Sequence, residues 1–317
     1  MYSLIYSIYF ALKRLEKKRK ENTKPQLKLI SFMLGYCEWY YNIPFRRWIE
    51  KHPSKKYGLN KKQREQKVIV SLTSFPKRIN EVWLTIETLF RQTYKADKII
   101  LWLAESQFQG IESLPENLRR LQERGLTIRF CDDLRSHKKY FYTMQEYPDD
   151  LVILADDDNF FPLDTIKKLM RMHKRYPKEI VCMTTAIITG VDKLPDEWGR
   201  PRYNERIEHS SIAQPFTGQG TLYPSHLLDE EYLFRKDLIL DLCPYADDLW
   251  LVYMALRKGT KTSVAYKVRS LPITIYGTFE SGLWHINGKD RKNDIQWQKI
   301  LNYFKQDDLA KMLDGEK

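Results

Sequence analysis

The chain has 317 residues, 43% of them hydrophobic and 13% aromatic, and a net charge of +12. This composition excludes a disordered chain and supplies enough apolar surface for one large α/β domain with an appendage or for two small domains. The basic surplus lies in residues 1–67, which contain 17 Lys/Arg and 5 Asp/Glu, whereas residues 68–317 contain 36 of each. A neutral main region argues against nucleic-acid binding, so we expect no nucleic-acid partner.

The first 50 residues combine aromatic and basic side chains. Residues 1–12 are apolar and residues 13–20 are strongly basic. The apolar run is too short to span a bilayer, and a signal peptide would have its charges before its apolar stretch. Two interpretations stay open, an amphipathic segment on an anionic membrane surface and a helix packed on its own domain with a solvated basic face. We predict that residues 1–66 form a helical, basic N-terminal extension and linker.

Strands and helices alternate from residue 67 onwards. Apolar runs predict strands at 68–72, 98–103, 127–130, 151–154, 180–183, 262–266 and 273–276. Helical spacing predicts helices at 81–91, 118–123, 139–146, 165–176, 247–256 and 293–304. This alternation indicates an α/β domain over residues 67–317, with a mainly parallel sheet and helices on both faces. Such sheets bind ligands at the carboxyl ends of their strands.

Three adjacent carboxylates follow the strand at 151–154. The apolar run that begins at Val152 is followed directly by Asp156, Asp157 and Asp158, and Pro162 then precedes a helical pattern. Burying three unpaired carboxylates is costly, so solvent or a cation must accompany them. Oxygen ligands suit hard ions such as Mg²⁺ or Mn²⁺, and the alternative is an acidic turn in water.

The ordered set of motifs resembles the GT-A glycosyltransferases, particularly the large inverting family 2, over residues 67–290. The first strand enters a Thr73-Ser74 turn, and a later helix ends in Arg91-Gln92-Thr93-Tyr94 before a second strand. The Asp triplet lies where that fold has its DxD metal motif, and the pair 247–248 lies where it has acidic residues at a helix start. The sequence departs from the family in having Ala155 before the triplet and Glu105 after the second strand. It also lacks the Gln-x-x-Arg-Trp motif of processive synthases, which argues against a long-chain polymerase.

The resemblance implies a GT-A, Rossmann-like fold and a metal-dependent transfer of one sugar from a nucleotide-diphospho-sugar, with a UDP-sugar as the expected donor. The acceptor would be a glycan or a lipid-linked glycan in cell-surface polysaccharide synthesis, and the transfer would be inverting. Mn²⁺ or Mg²⁺ would be the cofactor, held by Asp156, Asp158 and His285, although a histidine beside a tryptophan also occurs as a structural residue. Which carboxylate of the triplet binds the metal directly stays open.

The remaining candidates concern the donor, the acceptor and the proton transfer. Predicted donor-binding residues are Thr73, Ser74, Phe75, Arg78, Lys138, Lys139, Asp156 and Asp157; the alternatives are a simple turn for the first four and exposed lysines for the next two. Predicted acceptor-binding residues are Trp198, Gly218, Gln219 and Gly220, and Trp198 is equally consistent with a core anchor. An inverting transfer needs a general base, and we predict Asp248, with Asp247 as a capping or second catalytic carboxylate.

Two rival functions use the same residues. A metal-dependent phosphohydrolase or nucleotidyltransferase would use the Asp cluster with a second metal, and a non-catalytic glycan- or membrane-binding protein would be a decayed version of the fold. The four cysteines, Cys37, Cys131, Cys182 and Cys243, lie far apart without zinc-binding spacing. They are expected to be free thiols of a reducing compartment. We therefore predict a cytoplasmic enzyme, peripheral on the inner face of the membrane.

Overall fold

The computed structural model describes residues 2–25, 27–54, 56–200, 206–265, 272–278, 280 and 291–313. The strands are β1 (Val68–Thr73), β2 (Lys98–Ala104), β3 (Leu126–Cys131), β4 (Leu151–Ala155), β5 (Asn159–Phe160), β6 (Ile180–Cys182), β7 (Thr185–Ile187), β8 (Ala213–Pro215), β9 (Gln219–Tyr223), β10 (Thr262–Val264) and β11 (Ile273–Thr274). The helices are α1 (Tyr2–Glu21), α2 (Lys28–Tyr40), α3 (Arg46–Lys51), α4 (Val82–Phe90), α5 (Glu116–Arg119), α6 (Lys138–Glu146), α7 (Thr165–Arg175), α8 (Glu230–Leu233), α9 (Lys236–Leu242), α10 (Asp247–Lys258), α11 (Lys292–Tyr303) and α12 (Leu309–Leu313).

A mixed sheet of seven strands, in the order β10-β6-β9-β4-β1-β2-β3, forms the centre of the described structure. Neighbours β1, β2, β3 and β4 run parallel, and β9 runs antiparallel to both β4 and β6. Strands β1 and β4 are apolar along almost their whole length because both faces of a parallel sheet are buried by helices. The predicted α/β class, a mainly parallel sheet with helices that follows a helical N-terminal extension, is confirmed by this order and by the helices of the first 51 residues.

Strand β9 is the strand of the seven-stranded sheet that the sequence pattern did not predict. The run from Phe216 to Leu222 reads as a glycine-rich loop, yet residues 219–223 form an interior strand. Gly220 has φ +97°, and the pairing register with β4 shifts between Leu154 and Ala155. A bulge of this kind needs a residue that tolerates positive φ, which explains a glycine inside the strand.

The N-terminal extension packs on the main sheet domain. The Tyr6 hydroxyl donates to the Phe160 carbonyl at 3.0 Å, and the Tyr41 and Phe45 rings lie 5.6 and 6.0 Å from the Phe160 ring. Asn42 donates to the Thr274 carbonyl at 3.1 Å. One face of the extension therefore belongs to the same core as β5 and β11. Strand β5 follows the Asp triplet directly in the sequence.

The segment 51–67, predicted as a linker, also contacts the main domain. Leu59 is buried, and Gly58 and Asn60 donate backbone hydrogen bonds to the carbonyls of Arg124 and Ala96. Gly58 sits so close to Phe90 that a Cβ there would meet the ring at 2.0 Å. These contacts place the extension against the same core as the sheet.

Candidate active site

A cavity of about 650 Å³ opens at the carboxyl ends of β1 and β4 and reaches the first turn of α10. The predicted residues that line it are Thr73, Ser74, Phe75, Arg78, Lys138, Lys139, Asp156, Asp157, Asp158, Trp198, Gly218, Gln219, Asp247 and Asp248. Gly220 is not among the lining residues; it lies inside β9, where an added Cβ would meet Thr165 at 3.2 Å and Met183 at 3.4 Å. His285 lies outside the described residues, so its metal role stays a prediction.

Asp157, the middle carboxylate of the triplet, is buried and fully partnered. The Ser74 hydroxyl donates to one carboxylate oxygen at 2.5 Å, and Arg78 Nη1 lies 2.7 Å from the other. The Arg78 guanidinium also lies 3.0 Å from Asp158 Oδ2 and donates to the Thr278 carbonyl at 3.0 Å. Asp157 therefore ties the turn after β1 to the triplet, while Asp156 and Asp158 keep more contact with the cavity.

The pKa of Asp158 lies well above the usual range of an aspartate. Burial raises its pKa to about 7, and the negative charges of Asp156 and Asp157 add to the rise while Arg78 opposes it. Asp158 Oδ1 accepts a hydrogen bond from the side-chain amide Nδ2 of Asn159 at 2.5 Å. A cation that approaches through the cavity would stabilise the ionised form of this carboxyl.

Lys139 joins the two acidic clusters. Its ammonium lies 2.7 Å from Asp156 Oδ1 and 3.1 Å from Asp247 Oδ2, and its side chain is 3% exposed. Burial alone would lower the pKa of Lys139, but Asp156 and Asp247 outweigh burial and raise it. Lys138 is buried as well and lies 2.7 Å from Asp133 Oδ1. The alternative of two exposed lysines is thereby excluded.

Asp247 and Asp248 begin α10 and differ in their environments. Burial alone would raise the pKa of Asp247, but Lys139 outweighs burial and lowers it, and the Thr217 hydroxyl donates to Asp247 Oδ2 at 2.8 Å. Burial raises the pKa of Asp248 to about 7, and the neighbouring charge of Asp247 contributes to the rise. Among the described residues Asp248 makes no ion pair, so its carboxyl is the freer of the two to accept a proton.

The residues at the end of β1 and directly after it line the cavity, and some of their polar groups already bond within the protein. Thr73 Oγ1 donates to the Trp102 carbonyl at 2.8 Å, and the Arg78 guanidinium lies 5.6 Å from the Phe75 ring centre.

Trp198 is buried against Trp297, with ring centres 5.0 Å apart, and its indole donates to the Lys193 carbonyl. Trp198 therefore acts as a core anchor whose edge reaches the cavity wall.

The cavity lining also includes residues that sequence reasoning missed, among them Arg135, Arg200 and Tyr245. The Arg135 guanidinium lies 4.2 Å from the Tyr245 ring centre, and Arg200 lies 4.7 Å from that of Phe216. Within the described ranges neither arginine forms an ion pair with a carboxylate, unlike Arg78 and the two lysines. The available signals in the sequence were the position of Arg135, three residues before Lys138, and the position of Arg200 in the polar stretch 192–208.

The residues fit a hard divalent cation as an incomplete protein site. Among the described residues no group of three or more His, Cys, Asp or Glu side chains is arranged to hold a metal ion. Asp156 and Asp158 nevertheless both line the cavity, and Mg²⁺ commonly takes one or two carboxylates and completes its coordination with substrate phosphates. The donor chemistry is therefore suitable, provided that the substrate supplies the remaining ligands.

No family model and no curated protein matches this sequence. Among solved structures, S. aureus TarS 1–349 aligns over 75% of this chain and 66% of that chain, with 12% identity and a TM-score of 0.46. The same protein in complex with UDP aligns over 63% and 57%, with 14% identity and a TM-score of 0.46.

The mannosyltransferase PcManGT from Pyrobaculum calidifontis, in complex with GDP-Man and Mn²⁺, aligns over 82% of this chain and 66% of that chain, with 15% identity and a TM-score of 0.39. This chain thus spans less than two thirds of each of these three structures. Likenesses at this level of identity and TM-score carry no argument about activity.

Proposed function

We propose that the protein is a glycosyltransferase that moves a single sugar from a nucleotide-diphospho-sugar, with a UDP-sugar as the first candidate, to a glycan or lipid-linked acceptor. The observation that carries the proposal is that Lys139 connects the Asp triplet after β4 with the acidic pair of α10 within one cavity. One end of such a cavity suits a charged diphosphate, and the other suits a hydroxyl that must lose a proton.

The donor end is built around Asp156 and Asp158. These carboxylates would hold Mn²⁺ or Mg²⁺ together with the donor's phosphates, and the bound ion would neutralise the charge of the departing diphosphate. Arg78 positions the triplet through Asp157 and Asp158. Arg135 and Arg200, which are free of carboxylate partners within the described ranges, are available to contact phosphate oxygens.

The acceptor end is built around Asp248. Inverting transfer requires one group to remove the proton from the attacking hydroxyl, and a pKa near 7 suits a general base at neutral pH. The pKa of Asp247 is lowered instead, because Lys139 stabilises its negative charge. Two adjacent carboxyls with pKa values pushed apart support a division of roles, with Asp248 as the base and Asp247 as the group that holds Lys139.

The cellular setting completes the proposal. Four free cysteines, all buried, are compatible with a reducing compartment, and we place the enzyme in the cytoplasm on the inner face of the membrane, in cell-surface polysaccharide synthesis. The rival phosphohydrolase or nucleotidyltransferase shares the Asp cluster, and the products released from a nucleotide sugar distinguish it from a sugar transferase.

The test is a screen of UDP- and GDP-sugars with Mn²⁺, Mg²⁺ or EDTA, read by thermal shift and by slow release of nucleoside diphosphate. Wild type is compared with Asp158→Asn and with the control Asp241→Asn, whose side chain is exposed on α9 away from the cavity. We expect metal-dependent stabilisation by one donor and release of its diphosphate, both lost in Asp158→Asn and kept in the control. Release of nucleoside monophosphate, or no response to any donor, would overturn the proposal.

A further inference from the structure

The extension presents an apolar face that nothing in the described structure covers. Helix α2 buries Ile30, Leu34 and Cys37 on one side. Its opposite side exposes large apolar residues at helical spacing, with Phe32 72% and Leu29 66% exposed. The exposed stripe consists of Leu29, Phe32, Met33, Tyr36 and Trp39, which we call the outer face of α2. A helix that is apolar on both sides needs a partner for each side. The protein core covers the buried side of α2, and the outer face has no such cover in the described structure.

Helix α1 repeats the pattern beside it. Tyr6, Tyr9 and Leu12 are buried, whereas Leu4 and Leu15 are 62% and 51% exposed. The Tyr9 hydroxyl donates to Glu38 of α2 at 3.3 Å, so the two helices are joined. The exposed apolar residues are therefore not scattered singly but belong to two adjoining helices.

Positive charge accompanies this face. Residues 1–50 contain ten Lys/Arg and four Asp/Glu, and six of the basic residues lie between residues 13 and 20 of α1. Lys18, Lys20, Lys24 and Lys28 are exposed around the end of α1 and the start of α2. Apolar and aromatic side chains next to clustered lysines match the interface of an anionic bilayer, where the former enter the headgroup region and the latter meet lipid phosphates.

We propose that the outer face of α2, with the exposed residues of α1, docks on an anionic membrane surface. No described helix is long and apolar enough to cross a bilayer. A second copy of the chain is the less suitable occupant, because a symmetric contact would bring two basic segments together, whereas anionic lipid attracts them.

The docking face is firmly attached to the domain that carries the cavity. Asn42, directly after α2, donates to the Thr274 carbonyl and accepts from the Tyr276 amide at 2.6 Å. The Ile275 amide in turn donates to the Asp158 carbonyl at 2.8 Å. Membrane docking through α2 would therefore hold the catalytic domain at the surface where a lipid-linked acceptor lies. The docking inference itself rests on the extension and not on the proposed transferase chemistry.

The experiment is flotation of the full chain with vesicles of phosphatidylcholine alone or mixed with phosphatidylglycerol. We compare wild type with the Phe32→Asp/Trp39→Asp double variant, the Lys18→Glu/Lys20→Glu double variant and the control Leu240→Asp, which changes an exposed leucine of α9. We expect binding to the mixed vesicles, a fall in partitioning of about tenfold or more in either double variant, and no change in the control.

Thermal melting and size-exclusion chromatography without lipid accompany the flotation. Unchanged melting of the Phe32→Asp/Trp39→Asp variant, as expected for exposed positions, would assign its loss of binding to the membrane contact. Failure of wild type to float with mixed vesicles, equal binding to both vesicle types, or a lipid-free dimer that this variant disrupts would each overturn the inference. The donor screen is independent of these results, so either proposal can fail alone.

Discussion

Gly218 lies directly beneath the carboxylate of Asp156. A Cβ on residue 218 would lie 1.6 Å from Asp156 Oδ2, and the Asp156 amide donates to the Gly218 carbonyl at 2.8 Å. The absence of a side chain at position 218 is therefore what allows this carboxylate to reach Lys139. Sequence reasoning assigned Gly218 to the acceptor sugar, and the contact with Asp156 gives a separate reason for a glycine there.

The substitution Gly218→Ala should remove transfer activity without unfolding the chain. The new methyl group must displace the Asp156 carboxylate, whose side chain is 44% exposed and can rotate into the cavity. We expect donor turnover to fall by about a hundredfold, on the scale seen when a positioned catalytic group is misplaced, with a nearly unchanged melting temperature.

The matched control is Gly35→Ala. Gly35 lies in α2, and no neighbouring atom lies within 4 Å of the point that an alanine Cβ would occupy. Alanine should therefore keep activity and stabilise the helix by about 1 kcal/mol. Equal activity of Gly218→Ala and Gly35→Ala would show that the position of Asp156 is unimportant for turnover.

Replacing Lys139 by methionine should destabilise the fold. Asp247 would remain buried without its cation, and breaking a buried ion pair by removing one partner costs about 3 kcal/mol. Urea unfolding at neutral pH measures this cost, and lowering the pH should reduce it because protonation of Asp247 removes the unpaired charge. Lys138→Met is the control, since its partner Asp133 has a 30% exposed side chain and can be solvated, so a smaller loss is expected. Equal losses in the two variants would contradict this account.

Asp248→Asn should abolish activity while increasing stability. With a pKa near 7, the base is active only when deprotonated, so kcat/KM of wild type should rise with pH through about 7. A carboxyl whose pKa is higher in the folded chain holds more protons there than in the unfolded chain. Stability therefore falls as the pH rises from about 4 to about 7.

Asparagine at position 248 removes this loss, so the variant should be more stable than wild type at pH 8 by about 1 to 3 kcal/mol. Paired pH–rate profiles and melting curves provide the measurement. An active Asp248→Asn variant with an unchanged profile would exclude Asp248 as the base.

Asn42→Ala tests whether the extension supports the site. Asn42 is buried and bonds both Thr274 and Tyr276, so its removal leaves backbone groups of that segment unpaired. We expect a loss of about 1 to 3 kcal/mol in the free energy of unfolding and weaker donor binding, measured by urea unfolding and calorimetry. The exposed Asn117, changed to alanine, is the control and should leave donor binding intact. Unchanged donor affinity in Asn42→Ala would separate the extension from the site.

The strands of the parallel region could be predicted because their signal is local. Strand β2 is apolar and buried from Ile99 onwards, since both faces are covered, and helical segments of the chain carry clear periodicity. Strand β9 escaped because its pairing with β4 and β6 is distant in sequence and its glycine at a bulge is typical of a loop. Long-range pairing overrides local propensity at such positions.

Residue order alone reveals the Asp triplet at the end of an apolar strand, the acidic pair at a helix start and the separation of the basic extension from a neutral main region. It could do so because residue type and position relative to a strand end are local properties. The folded chain is needed to see that Lys139 is buried between Asp156 and Asp247, that Arg78 pairs with the triplet and that Gly218 lies beneath Asp156. These partners come from separate strands and helices, and only the packing of the folded chain brings their atoms within contact distance.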